Sequence, residues 1–91
     1  MVFKLEICVD SVESAIIAQE AGADRLELCC ALSEGGLTPD YGLIKSVLSN
    51  TGIPVHVLIR PRGGDFLYND NEFEIMRKDI EMCGESGVHG V

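Results

Sequence analysis

The feature that most constrains the fold is a weak internal repeat. A helix-like segment, a glycine and a strand-like run recur at Gly22-Ala23, Gly52-Ile53 and Gly87-Val88. The spacings of about 30 and 35 residues match one βα unit. Repeated βα units predict a parallel sheet with helices packed outside it. Lys4–Val9, Asp24–Cys29 and Pro54–Arg60 read as the first three strands, and Val88-His89-Gly90-Val91 as the start of a fourth. Asp10 or Ser11 can cap the first helix, whose apolar face carries Val12, Ala15 and Ile16. Thr38 reads as the second cap, with Pro39 at the first helical position and Leu43, Ile44, Val47 and Leu48 as the apolar stripe. Asp70 or Asn71 reads as the third cap, ahead of the stripe Phe73, Met76, Ile80 and Cys83.

A complete (β/α)8 barrel takes roughly 250 residues, and this chain has 91. The expected fold class is therefore α/β: a parallel (β/α) repeat forming part of a TIM barrel, with about three and a half units. Residues 1–91 are expected to be the N-terminal portion of one such domain, interrupted in strand four. An open parallel edge offers unpaired N–H and C=O groups. A chain of this kind is expected to be marginal alone or to pair with another copy.

Side chains alternate across a strand. One face of each predicted strand is apolar: Leu5, Ile7 and Val9; Leu26 and Leu28; Val55, Val57 and Ile59. The other carries Glu6 and Cys8; Arg25, Glu27 and Cys29; and His56, Leu58 and Arg60. In a barrel these second faces point inward. Buried charges are costly unless paired, so Glu6, Arg25, Glu27, His56 and Arg60 are expected to form a network or line a wet pocket. A purely structural ion-pair network is the competing reading, and mid-strand His56 also reads as a satisfied core histidine.

Directly after strand three comes Arg60-Pro61-Arg62-Gly63-Gly64-Asp65-Phe66. Ligands in α/β folds bind at the C-terminal ends of the strands. Arg60 and Arg62 there suit a carboxylate or phosphate, and Asp65, Glu6 or Glu27 could act as acid or base. Gly63 and Gly64 give the loop its turn, and Gly35 and Gly36 before Thr38 could add backbone N–H donors.

The net charge of −8 argues against nucleic acid or an anionic membrane as partner. No run approaches the ~20 apolar residues of a membrane span. Lys4 is followed by a short mixed run that does not read as a secretory signal, so the cytoplasm is the expected location. The cysteines, Cys8, Cys29, Cys30 and Cys83, are then expected to be reduced thiols. Cys8 and Cys29 fall at matching places, each near the C-terminal end of its strand and on the polar face. Strands about 4.8 Å apart could let both thiolates meet one soft ion, and two thiolates suit Cu(I). Two small buried hydrophobes is the alternative. Cys30 has the opposite parity, and Cys83 lies on an apolar helix stripe.

Four blocks together resemble the CutC family, associated with copper homeostasis. They are Leu5-Glu6-Ile7-Cys8-Val9-Asp10-Ser11-Val12-Glu13-Ser14-Ala15, Gly22-Ala23-Asp24-Arg25-Leu26-Glu27-Leu28-Cys29, Leu32-Ser33-Glu34-Gly35-Gly36-Leu37-Thr38-Pro39, and the run from Ile53 to Tyr68 that contains the arginine loop. The resemblance covers essentially the whole chain. It implies a TIM barrel, a cytoplasmic and also nuclear location, homo-oligomers, and Cu(I) bound by thiolates, with Cys8 and Cys29 at the ligand positions. Two functions are carried forward. The first is copper homeostasis by Cu(I) binding, which needs no turnover. The alternative is a barrel enzyme acting on a small anion held by Arg60 and Arg62.

Overall fold

The computed structural model describes residues 3–91. Its elements are β1 (Glu6–Val9), α1 (Val12–Glu20), β2 (Arg25–Leu28), α2 (Tyr41–Asn50), β3 (Val55–Val57) and α3 (Asp70–Ser86), with a 3-10 turn at Leu32–Glu34. The strands form one parallel sheet in the order β1-β2-β3. This is the α/β arrangement of successive βα units, as in the opening part of a (β/α)8 barrel.

Alternation in the strands creates the core. Val9, Leu26, Leu28, Val55 and Val57 are buried on one face of the sheet, in one cluster with Ala15 and Ala18 of α1, Ile44 and Val47 of α2, and Cys83 of α3. Small residues on α1 let that helix lie close to the sheet. Register sets the other face: Glu6 lies opposite Arg25, Cys8 opposite Glu27, and Glu27 opposite His56.

The strands are shorter than their apolar runs. Strand three ends at Val57 rather than Arg60: Leu58 N still bonds Leu28 O of β2, but at Arg60 the backbone bonds the Thr38 loop instead. Thr38 Oγ1 accepts from Arg60 N at 2.7 Å and donates to Arg60 O at 3.1 Å. That use of its hydroxyl removes Thr38 as a helix cap. Asp40 caps α2 instead, accepting from Leu43 N at 2.8 Å, while Pro39 is buried in the interior. Ser11 caps α1 in a reciprocal box with Ser14. Asn69, not Asp70 or Asn71, caps α3, in a box with Glu72. The Asn-x-x-Glu spacing of a capping box is present in the sequence and was the better signal. Gly52 is not the helix terminator expected at that position: Thr51 caps α2, and Gly52 N donates to Gln19 Oε1 at 2.6 Å.

The α3 stripe is only partly used. Cys83 is fully buried, but Phe73 is 67% and Ile80 44% exposed. A three-stranded sheet gives so long a helix little to pack on. The expected fourth strand is a single parallel bridge, His56 to Gly90, with His89 N donating to Val55 O and Val57 N to Gly90 O. No described helix is long and apolar enough to cross a membrane.

Candidate metal centre and arginine loop

Cys8 and Cys29 come from neighbouring strands but do not occupy matching places, as their position in the sequence suggested. Cys8 pairs with Glu27, and Cys29 lies one residue past the end of β2, held by its N–H to Val9 O at 3.0 Å. The thiols therefore meet diagonally, with the sulfurs 3.5 Å apart. Cys8 is exposed and Cys29 buried. The Cys8 thiol also lies 3.7 Å from Glu27 Oε1, and Cys29 Sγ 3.6 Å from Val9 O. Behind the pair stands Gly36, where a Cβ would come within 3.6 Å of Cys29 Sγ.

The donor set fits a soft ion. At metal–sulfur distances of about 2.3 Å, a bent two-sulfur arrangement spans the observed separation, and linear coordination needs about 4.6 Å. Rotation of exposed Cys8 could supply the difference. Among the described residues no group of three or more His, Cys, Asp or Glu side chains is gathered as a metal site. The arrangement thus offers two neighbouring thiols, the donor type that suits a soft ion.

Burial, then the hydrogen bond to Cys8 and the charges of Cys8, Asp10 and Glu27, push the Cys29 thiol up to about 12. Burial, helped by Asp79, also raises Cys83. An unfolded thiol ionises near pH 8.5, so above that pH the unfolded chain loses protons that the folded chain keeps. The thiol contribution to stability is full below about pH 8.5 and is lost as pH rises towards 12. Urea melts at pH 8 and pH 10.5 are expected to show this decline, and Cys29→Ala to make it shallower. An equally steep decline in the variant would contradict the assignment.

Glu6, Arg25, Glu27 and His56 line one cavity of about 500 Å³, walled also by Val57, Leu58, Ile59, Met76, Ile80 and Val91. Within it Arg25 Nε is ion-paired with Glu6 Oε2. This pair neutralises two of the inward charges and leaves Glu27 and His56 as the remaining polar lining.

Arg60, Arg62 and Asp65 do not line this cavity; they hold loops together. Arg60 Nη1 donates to the carbonyls of Glu34 (2.6 Å) and Gly36 (3.1 Å), and Nη2 to that of Gly64 (3.0 Å). Its guanidinium stacks 5.0 Å from the Phe66 ring centre. Among the described residues Arg60 Nε is the one buried side-chain nitrogen or oxygen atom without a partner. Arg62 bonds Glu72 through Nε, Gly63 O and Asp65 O through Nη1, and Leu67 O and Asp65 Oδ1 through Nη2. Its five N–H donors are all engaged, so the expected bidentate clamp by Arg60 and Arg62 together has no free Arg62 fork. The Glu72 pairing raises the Arg62 pKa, and Arg62 in turn lowers that of Glu72. Asp65 is lowered by the Leu67 N–H and then by Arg62. Gly35 N and Gly36 N, proposed as ligand donors, bond Leu32 O and Ala31 O. Sequence inspection could not see these contacts, because the acceptors are mostly backbone carbonyls in other loops.

The CutC family model matches residues 3–91. The human copper homeostasis protein cutC homolog is 55% identical over 89 residues, covering 98% of this chain and 33% of the relative. A CutC family protein of Histophilus somni (strain 2336) is 54% identical over 87 residues, covering 96% and 36%. A crystal structure of CutC from Streptococcus agalactiae aligns with TM-score 0.85 at 40% identity, over 97% of this chain and 44% of that one. The chain spans about a third of the length of the curated relatives it matches. Sequence and fold agree over nearly all of the described residues: the chain belongs to the CutC family.

Proposed function

We propose that this chain takes part in copper homeostasis by binding Cu(I) between Cys8 and Cys29, on a wall of a TIM barrel. The observation that carries the reading is the 3.5 Å approach of one exposed and one buried sulfur. Copper is cargo here, and no turnover is required. The relatives' names support the copper role, and two neighbouring cysteine sulfurs are the donor type that suits Cu(I). The cytoplasm and nucleus, and a homo-oligomer, belong to the same proposal.

The second reading, a small anion at the arginine loop, rests on Arg60 alone. Its unpartnered Nε is the one donor observation that favours it.

An anaerobic Cu(I) titration against a competing chelator separates these. The copper reading expects one equivalent bound. It expects Cys8→Ser or Cys29→Ser to weaken binding beyond the ~10–100-fold typical of losing an outer-shell partner. Cys30→Ala/Cys83→Ala and Arg60→Lys are expected to keep the site. Equal losses across all cysteine variants would mean scavenging by unstructured thiols and would defeat the copper reading.

A further inference from the structure

The two sulfurs have a second chemistry open to them. A disulfide needs an S–S length of about 2.05 Å, and Cys8 and Cys29 stand 3.5 Å apart in the reduced chain. Rotation of exposed Cys8 can close that gap. The other thiols are occupied elsewhere: Cys30 Sγ donates to Thr38 O at 3.3 Å, and Cys83 is sealed in the core on the buried face of α3. Because Cys8 pairs with Glu27, Cys29 is its diagonal neighbour. A bridge here keeps the Cys8 sulfur at the surface, and exposed bridges are the readily reduced, regulatory kind.

We propose that Cys8 and Cys29 form a reversible disulfide, in which exposed Cys8 meets the oxidant and buried Cys29 closes the bond. With a small disulfide such as oxidised glutathione, the Cys8 thiolate attacks one sulfur and expels one glutathione thiolate. Cys29 then gives up its proton to solvent as its sulfur attacks that of Cys8 and expels the second. Two cysteine thiols lose two electrons and two protons, and one glutathione disulfide becomes two glutathione thiols. Thiol excess reverses both steps. The consequence for copper rests on the Cu(I) reading above: the same two sulfurs cannot bridge and bind metal at once, so oxidation would release the ion.

The test uses the reduced, chelator-stripped chain in glutathione redox buffers, quenched by alkylation and mapped by peptide mass. The expected main product is a Cys8–Cys29 bridge, exceeding glutathione-capped Cys8, with Cys30 and Cys83 alkylated after unfolding and the bridge lost when reduced glutathione is restored. Cys29→Ala is expected to stop at the Cys8–glutathione adduct. Persistent capped Cys8 beside free Cys29 in the parent chain would overturn the proposal, as would a bridge to Cys30. A parallel arm pre-loads Cu(I). Protection from oxidation is expected if copper occupies the pair. A bridge that forms equally fast with and without copper would sink the copper reading while leaving the disulfide standing.

Discussion

Gly36→Ala is expected to lower stability by about 2–5 kcal/mol and to disturb the thiol pair in the same step. Gly36 is buried at φ 96°, a region L side chains rarely adopt. That strain alone costs roughly 1–2 kcal/mol. A Cβ would also meet Leu58 Cδ2 at 2.9 Å and the Cβ and Sγ of Cys29 at 3.6 Å. Overpacking adds roughly 1–3 kcal/mol. Gly22 is the control, because it has φ 101° but nothing within 4 Å of a Cβ. Gly22→Ala should show only the backbone part, about 1–2 kcal/mol. Urea melts of the two variants, with Cu(I) affinity measured on each, separate strain from crowding. Equal melts would show that Leu58 swings aside freely. A Gly36→Ala chain with unaltered copper affinity would show that the glycine does not position Cys29.

Leu26→Ala is expected to cost about 3 kcal/mol, within the 2–5 kcal/mol seen for large-to-small core changes. Leu26 is fully buried on the central strand, opposite Ile7 on one side and Val55 on the other. Both neighbours are fixed by the ladder, so the cavity cannot collapse. Single domains hold about 5–15 kcal/mol in total, which makes this a large fraction. Exposed Ile17 on α1, at 64%, should tolerate the same change within about 0.5 kcal/mol. The check is a shifted denaturant midpoint at constant slope. A loss no larger than that of Ile17→Ala would mean that the sheet repacks around the hole.

The helices show how far local pattern carries. Their existence and order followed from apolar spacing, but two of three caps fell on other residues. Asp40 replaced Thr38 because Arg60, far along the chain, engages the Thr38 hydroxyl. Asn69 replaced its neighbours because Glu72 closes the box. Strand three lost its last residues for the same kind of reason, since backbone near Arg60 bonds Thr38 in place of a neighbouring strand.

The candidate site divides in the same way. That Glu6, Arg25, Glu27 and His56 share one face was legible from alternation, because period two needs only a few adjacent residues. What Arg60 and Arg62 do was not legible. Both looked like free cations at a strand end. In the fold their donors meet Glu34, Gly36, Gly64, Leu67 and Glu72, and a guanidinium satisfied by carbonyls gives no sign of it in composition.

From the residues alone came the βα order, the apolar and polar strand faces, and the placing of Cys8 and Cys29 on the polar face. These depend on periodicity and on neighbours a few positions away. Tertiary structure alone decided that the two thiols meet diagonally at 3.5 Å, that one is exposed and one buried, and that the arginine loop binds itself. Those outcomes depend on register and on donor satisfaction between segments distant in the chain, where a shift of one residue turns a side chain to the opposite face.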